Sequence, residues 1–356
     1  MSFIWPQYTD FLDHMTLLWA ILSLPIGLII LIKGADWLVD GAVAIAKHLG
    51  MSPLIIGLTI VAMGTSAPEV AASVESALKD LPGTAVGNVY GSNIANLALV
   101  AGLCSIIRPI LVSRPAIKRD IPLMLGTALL LYPVFLLCRM VEATGSARYS
   151  LYALASNIFM LIVFAGIIVF MIHSERIRSK KDARLMKEQV ATVEQAAPHQ
   201  PKSFWFSVFI IGLGLVCLAE GAKLTVASAS IIGARAGMSP LTIGATIVAL
   251  GTSLPELLTC LIAAFKGHDD LSIGNLVGSN IFNTLLVVST AGIAKPFSVL
   301  TNPEIIGTGY WIMIGVLVLF SVIAFLTKKI SRVSGILLSA VYIGFILYNV
   351  LGAGSD

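Results

Sequence analysis

The amino-acid sequence predicts an all-α membrane protein with about ten transmembrane helices, arranged as two inverted repeats of five helices each. Hydrophobic residues make up 57% of the 356 residues and charged residues only 12%, whereas soluble domains carry about 25% charge. Several apolar stretches reach the roughly 20 residues that a membrane-spanning helix needs. A block of sequence also occurs twice, once in each half of the chain. These three features exclude a soluble globular fold and favour the bilayer as the surrounding medium.

Ten apolar segments follow one another along the chain. Glycine, proline and serine interrupt several of them, and such breaks persist in lipid only where neighbouring helices or a polar cavity satisfy the freed backbone groups. The four cysteines stand singly, without the Cys-x-x-Cys spacing of a zinc or redox site. Residues 1–14 lack the basic start and cleavage motif of a signal peptide. The predicted segments are 15–46, 53–78, 84–106, 121–139, 151–172, 204–234, 239–265, 272–291, 308–327 and 333–351.

The most polar stretch, residues 173–202, separates the two halves and is rich in arginine and lysine. It is predicted to be a loop or short amphipathic helix that acts as a plain linker or, alternatively, as a regulatory segment. The chain therefore divides into a first repeat over residues 1–172, this linker, and a second repeat over residues 203–356. If the N-terminus lies outside, sixteen basic residues fall on the inner side and five on the outer side. The positive-inside rule then predicts both termini outside and a cytoplasmic linker.

A repeated block relates the two halves of the chain. Residues 51–70 and 238–257 are identical at fifteen of twenty positions, and residues 87–96 and 274–283 at seven of ten. Both matches have an offset of 187 residues, and they preserve Glu, Asn, Ser and Thr, which packing alone would not require. Five predicted spans separate equivalent residues, so the second copy enters the membrane from the opposite side. Inverted repeats are typical of secondary transporters, whose substrate site lies near the midplane where broken helices meet.

Each copy of the block contains one acid in otherwise apolar sequence, Glu69 in the first and Glu256 in the second. An ionised carboxylate in the bilayer core costs about 3 kcal/mol or more, so we expect both to face the bundle interior and meet a cation. The alternative is a structural ion pair with an intramembrane base, for which Lys33 and Lys223 are the candidates. Neither lysine lies in the repeated blocks, which favours a cation site.

A helix break is expected just before each acid. Gly64 and Pro68 precede Glu69, and a proline has no N–H to donate and disrupts the preceding helical turn. Carbonyl oxygens around Ala62 and Thr65 are therefore expected to lack helical partners and to be available to a cation. The second copy repeats this arrangement with Ala249, Gly251, Thr252, Pro255 and Glu256.

The second part of each block adds a serine and an asparagine spaced i, i+4, which places both side chains on one helical face. The glycines at 87, 91, 274 and 278 have the same spacing, which permits close helix contact. The predicted cation ligands are thus the two glutamates, six hydroxyls, two amides and two backbone carbonyls: Glu69, Glu256, Thr65, Ser66, Thr252, Ser253, Ser92, Ser279, Asn96, Asn283, Ala62 and Ala249.

Ligands of this kind are all oxygen atoms, without His, Cys or Met. Such a set selects hard cations, namely Na⁺, Ca²⁺, Mg²⁺ or Mn²⁺. Ca²⁺ accepts six to eight flexibly placed oxygens, whereas Mg²⁺ demands a tight octahedron, so a mixed cage on broken helices favours Ca²⁺. Two carboxylates neutralise one Ca²⁺, or they can be shared among several Na⁺ ions. Competition for one acidic pair is a sufficient basis for exchange, and no cofactor is required.

The doubled Gly-Thr-Ser-x-Pro-Glu and Gly-Ser-Asn-Ile-x-Asn motifs resemble those of the calcium/cation antiporter superfamily, in particular its bacterial sodium/calcium exchangers of the inner membrane. The resembling regions are residues 51–102 and 238–292, and the ten-span layout extends the likeness to nearly the whole chain. This resemblance implies that Glu69 and Glu256 are the central ligands of transported Ca²⁺ and Na⁺, joined by the other ten residues. One departure is Asn283, where many members have Asp, and it weakens the expectation of potassium dependence.

The leading expectation is Na⁺/Ca²⁺ antiport that exports Ca²⁺ across the inner membrane. Ca²⁺/H⁺ antiport on the same fold is the alternative, since buried glutamates can carry protons. A cation channel is disfavoured because no glycine-rich filter is repeated around one axis. An enzyme is not expected, since neither Ser66 nor Ser253 lies in Gly-x-Ser-x-Gly and no Walker motif is present. The expected partners are the lipid bilayer and inorganic cations; the net charge of +4 reflects topology rather than nucleic-acid binding, and no protein partner is evident.

Overall fold

The computed structural model describes residues 17–145, 149–189, 203–238, 247 and 249–352, and this part of the chain is almost entirely helical. Both chain termini, residues 190–202 of the linker, and residues 239–246 and 248 of the second block lie outside the described residues. The helices are α1 (Leu17–Leu49), α2 (Pro53–Thr65), α3 (Ala67–Leu78), α4 (Pro82–Ile107), α5 (Ala116–Ala143), α6 (Tyr149–Gln189), α7 (Phe204–Arg235), α8 (Ala249–Thr252), α9 (Leu254–Phe265), α10 (Asp269–Ala294), α11 (Thr308–Thr327) and α12 (Arg332–Gly352).

Eight of these helices are long and apolar enough to cross a membrane, and the pair α2 and α3, bent by 44°, gives a ninth span. The chain is therefore a multi-pass membrane protein with the predicted all-α fold. The remaining predicted segment, 239–265, lies partly outside the described residues and ends in α9, an apolar helix of 12 residues. The polar stretch is helical as far as Gln189, because α6 continues through it without a break. It is therefore an extension of a spanning helix there, rather than a loop or a separate short helix.

The helices recur at the same offset as the sequence block. Helices α3 and α9 are equivalent and each contains 12 residues. A single residue, Ser66 or Ser253, separates each of them from the short helix before it. Helices α4 and α10 each contain a π-helical turn, at Ala95–Val100 and Asn283–Val287. Such turns occur frequently at functional sites, so the repeated sequence produces the same unusual local structure twice.

Helices α1 and α7 pack against each other through glycines. A Cβ atom at Gly34 would lie 2.9 Å from the Gly214 carbonyl oxygen, and one at Gly27 would lie 3.2 Å from that of Gly221. One at Gly41 would lie 3.0 Å from the carbonyl oxygen of Ser207. Rising residue numbers on α1 thus meet falling numbers on α7, so these two equivalent helices are antiparallel. An inverted arrangement of the two copies requires this relation.

Helices α2 and α10 also lie in close contact. A Cβ atom at Gly278 would lie 2.7 Å from the Leu58 carbonyl oxygen, and one at Gly57 would lie 3.1 Å from the Gly274 Cα. The predicted close packing is therefore confirmed for Gly274 and Gly278. For their equivalents at 87 and 91 the close packing stays a prediction, because residues 239–246, which correspond to the part of α2 that Gly274 and Gly278 contact, lie outside the described residues. Among the described residues, both of these glycines border a cavity.

The connection that follows α4 and the connection that follows α11 lie at the same end of the helix bundle, and two contacts between distant parts of the chain occur there. Strands β1 (Ile110–Leu111) and β2 (Lys329–Ile330) pair there as an antiparallel ladder. In the turn between α9 and α10, the Lys266 ammonium lies 2.6 Å from carboxylate oxygens of both Asp36 and Asp40 of α1. These ion pairs connect α1 to the second half of the chain.

Candidate cation-binding site

The break in each repeated helix places its acid at the start of the following helix. Glu69 lies in the first turn of α3 and Glu256 in the first turn of α9. Pro68 and Pro255 occupy the opening positions of these helices, where a missing N–H has no cost. The N-terminal end of a helix carries a partial positive charge, which stabilises a nearby carboxylate. The sequence thus builds two sites where a buried anion is partly compensated by backbone dipoles.

Both acids are buried without a base. Their exposed fractions are 1% for Glu69 and 0% for Glu256, and neither forms an ion pair within the part of the chain that the structure describes. Of the two lysines that could have paired with them, Lys223 lies 2.6 Å from Glu220 and Lys33 is exposed. A buried charge without a partner is strongly destabilising, so each carboxylate needs a cation or a proton.

The two copies meet at these acids. The Ser92 hydroxyl donates to Glu69 Oε1 at 3.5 Å, within the first copy. The Thr65 and Ser66 hydroxyls of the first copy face Glu256 of the second copy, although neither carboxylate oxygen accepts a hydrogen bond of ordinary geometry from the described residues. The two carboxylates are also close enough to interact electrostatically. The tertiary structure therefore assembles one acidic centre from both halves of the chain.

Many of the predicted ligands have polar atoms that are buried and unpartnered. An unmade hydrogen bond of this kind costs about 1–3 kcal/mol, and such groups normally indicate an ion, a water or a functional role. Among the described residues the atoms without a hydrogen-bond partner include Glu69 Oε2, both carboxylate oxygens of Glu256, the hydroxyls of Ser66, Ser253 and Ser279, and both amide atoms of Asn96 and Asn283. Seven of the twelve predicted ligand residues thus bury polar atoms that no described residue satisfies.

The expectation of an unpartnered carbonyl at Ala62 is wrong. Its oxygen accepts the Ser66 N–H at 3.0 Å and the Thr65 hydroxyl at 3.4 Å, because the turn before Pro68 remains helical up to Thr65. A carbonyl oxygen has two lone pairs, so these bonds do not remove Ala62 from the possible ligands. In the second copy, Ser253 N–H bonds to Leu250 at 3.1 Å instead, so the two breaks differ in detail.

Two asparagines that the sequence reasoning missed hold this region together. Asn275 accepts the Thr65 hydroxyl at 3.2 Å and donates to the Cys260 sulfur at 3.4 Å. Its equivalent, Asn88, donates to the Glu69 carbonyl oxygen at 3.4 Å and to the Ser73 hydroxyl at 3.0 Å. Each asparagine thus links the α4 or α10 helix to a residue of a broken helix. Their identity in both copies, directly after a repeated glycine, was the available signal.

A cavity of about 290 Å³ opens beside the site. Among its lining residues are Ser92 and Thr252, one candidate ligand from each copy, together with Gly87, Asn88, Gly91 and, from α12, Tyr342, Phe345, Ile346 and Asn349. It therefore offers solvated ions an approach to the buried carboxylates from one side of the bundle. At Gly278, by contrast, α10 lies in close contact with α2: a Cβ atom there would lie 2.8 Å from the Ala62 Cβ.

Comparisons with known proteins agree with this picture. A family model described as sodium/calcium exchanger protein matches residues 19–173 and 206–351. The chain belongs to this family. The resemblance read from the motifs is thereby confirmed, and this family member is a cation antiporter of the calcium-exchanging type rather than a member of an enzyme family.

Relatives of the exchanger span nearly its whole length. CaxA of Alkalimonas amylolytica is 38% identical over 90% of this chain and 95% of its own. The inner membrane protein YrbG of Escherichia coli is 30% identical over 91% of this chain and 93% of its own. The sodium/calcium exchanger MaX1 of Methanosarcina acetivorans is 30% identical, covering 92% and 97%. The solved structure of the sodium-calcium exchanger NCX_Mj superimposes with a TM-score of 0.70 at 28% identity, covering 93% of this chain and 99% of that one.

Proposed function

We propose that this exchanger is a Na⁺/Ca²⁺ antiporter whose transported ions bind between Glu69 and Glu256. The observation that carries the proposal is the pair of buried carboxylates that have no basic partner among the described residues, together with the unpartnered polar atoms that both copies of the block bury. Such a site attracts hard cations and offers nothing to soft ones. The names of the relatives MaX1 and NCX_Mj, both sodium/calcium exchangers, support the choice of ions.

The charge of the site gives a reason for exchange. Two ionised carboxylates neutralise one Ca²⁺, and the same pair can neutralise Na⁺ ions that sit with neutral oxygens around them. Binding of one kind of ion therefore weakens binding of the other, so Ca²⁺ leaves the site when Na⁺ fills it. The proposed neutral ligands are the hydroxyls of Thr65, Ser66, Ser92, Thr252, Ser253 and Ser279, the amides of Asn96 and Asn283, and the carbonyls of Ala62 and Ala249.

Alternating access is the proposed way in which the site reaches both sides of the membrane. The two repeats, residues 1–172 and 203–356, are proposed to be inverted around the acidic centre, with residues 173–202 as a cytoplasmic linker and both termini outside. Inverted repeats allow each half to open toward one side. The cavity that reaches Ser92 and Thr252 supports an open path to the site from one side.

Ca²⁺/H⁺ antiport is a second candidate, because a buried carboxylate without a base can bind a proton in place of a metal ion. Asn283 favours this alternative over potassium-dependent exchange, since an amide adds no negative charge for a further cation. The two candidates share the site and differ only in the ion that replaces Ca²⁺.

Ca²⁺ uptake into proteoliposomes tests both candidates. Vesicles loaded with Na⁺ and diluted into Na⁺-free buffer should take up radioactive Ca²⁺, whereas a pH gradient without Na⁺ should not drive uptake. We expect Glu69→Gln and Glu256→Gln to reduce uptake to background. The control Glu75→Gln changes the same residue type in the same helix α3, outside the site, and should retain activity. Uptake driven equally by the pH gradient would favour the second candidate, and full activity of both site variants would overturn the proposed site.

A further inference from the structure

An apolar groove lies between α5 and α11, away from the cation site. Its volume is about 270 Å³, and its walls include Ile117, Ile121 and Leu125 of α5 and Val322 and Phe325 of α11. Phe325 is 67% exposed and Val322 47% exposed, so the groove opens sideways from the helix bundle. Both helices are among those apolar enough to span a membrane, so this opening faces the lipid.

The single polar residue along these walls does not change their character. It is Ser321, and its hydroxyl donates to the Leu317 carbonyl oxygen of its own helix at 2.6 Å. The groove therefore presents apolar surface along its length and no free hydrogen-bonding group to a soluble ligand. A hydrocarbon chain is the kind of occupant that such a wall accommodates.

One end of the groove is strongly basic. The N–H of Val112 donates to the Lys328 carbonyl oxygen at 3.0 Å, which brings the start of α5 beside the end of α11. Lys118 directly follows Ile117 of the groove wall, and Arg114 lies two residues before the start of α5. Lys328 ends α11 in a left-handed conformation, with φ of 56°.

These basic side chains are exposed and lack acidic partners. Arg114, Lys118 and Lys328 are all solvent-accessible, and none has an ion pair with the residues that the structure describes. Two neighbouring arginines of the same segment do have such partners: Arg108 lies 3.7 Å from Asp269, and Arg119 lies 2.5 Å from Asp120. Some basic side chains of this segment thus form ion pairs within the fold. Arg114, Lys118 and Lys328 remain without acidic partners among the described residues, at the end of an apolar groove.

We propose that this groove binds one anionic phospholipid, with an acyl chain between α5 and α11 and the phosphate among Arg114, Lys118 and Lys328. The charge complementarity and the sideways opening select a lipid over a free anion. Basic pockets at the membrane surface between transmembrane helices are known to bind anionic headgroups. A phosphatidylglycerol molecule has the required chemistry: one negative phosphate and long hydrocarbon chains. This site is separate from the cation site and does not depend on which ions are exchanged.

Lipid binding to the purified full-length protein tests the proposal. Native mass spectrometry would measure the apparent affinity for phosphatidylglycerol and for phosphatidylcholine with the same acyl chains. Removing one of the surface cations should weaken binding of the anionic lipid about fivefold. We expect this loss in Lys118→Gln and in Lys328→Asn, in which asparagine tolerates the left-handed backbone. The matched control Lys47→Gln removes one exposed cation from the end of α1, distant in sequence from the groove, and should bind like wild type.

A variant that fills the groove tests the contribution of the acyl chain to lipid binding separately from that of the basic side chains. Leu125→Trp keeps every basic residue and narrows the apolar wall, so it should also weaken phosphatidylglycerol binding. Equal affinity for the two lipids would overturn the proposal, as would equal effects of Lys118→Gln and Lys47→Gln. Competition by inorganic phosphate alone, with no effect of Leu125→Trp, would show a soluble-anion site and would overturn the lipid assignment. Each readout is independent of Ca²⁺ transport.

Discussion

Alanine in place of Gly278 tests the close packing of α10 on α2, and the equivalent substitution Gly91→Ala is its matched control. A Cβ atom at Gly278 would lie 2.7 Å from the Leu58 carbonyl oxygen, about 0.7 Å short of ordinary contact, which begins at 3.4 Å. A Cβ atom at Gly91 would meet no described atom within 4 Å. Both changes replace glycine by alanine inside a helix, so a gain of about 1 kcal/mol in helix propensity is common to both.

The difference between the two variants therefore isolates the cost of overpacking. Inserting a methyl group into a well-packed contact costs about 1–3 kcal/mol, and a backbone oxygen cannot rotate away as a side chain can. We expect the free energy of unfolding of Gly278→Ala to be about 1–3 kcal/mol lower than that of Gly91→Ala. Unfolding in mixed micelles, titrated with SDS and followed by tryptophan fluorescence, measures this quantity. Equal unfolding free energies, or a greater loss in Gly91→Ala, would refute the assigned packing.

Three further variants address the site and the ion pairs. Asn283→Asp replaces a buried, unpartnered amide by a third carboxylate and should raise the apparent affinity for Ca²⁺, measured from the concentration dependence of uptake. An unchanged affinity would place residue 283 outside the site, and a lower affinity would contradict the proposed gain. Asn275→Ala removes the 3.2 Å acceptor of the Thr65 hydroxyl and should weaken Ca²⁺ binding about fivefold, as expected for a hydrogen bond worth about 1 kcal/mol. A Ca²⁺ titration that gives the variant the same affinity as wild type would contradict this role. Burial lowers the pKa of Lys266, but the two aspartates of α1 outweigh this effect and raise the pKa above the ordinary value of a lysine. Lys266→Gln should therefore lower the free energy of unfolding at neutral pH by about 0–1 kcal/mol, as expected for partly exposed ion pairs, and should match wild type once the pH exceeds the raised pKa.

Local structure followed closely from the repeated sequence. The same residues that predicted a break before Glu69 and Glu256 produce a single non-helical serine in each copy. One helix later, Ser279, Asn96 and Asn283 bury polar atoms without partners among the described residues, whereas Ser92 donates to Glu69. The Ala62 carbonyl was expected to lack a hydrogen-bond partner, and this was wrong. The effect of Pro68 on the backbone is confined to the turn that contains its own missing N–H. Asn88 and Asn275 were missed because a hydrogen bond between two helices leaves no periodic pattern in either of them.

By itself, the sequence determined the class of protein, the two acids and the oxygen chemistry around them, since these depend on residue type, on spacing along one helix and on the cost of burying charge in lipid. Only the tertiary structure decided that hydroxyls of the first copy face the acid of the second, and that Gly278 is packed while its equivalent Gly91 borders a cavity. The physical reason is that identical sequences share local propensities but not neighbours. Contacts between helices join residues that are far apart along the chain, and residue spacing along one helix does not specify them.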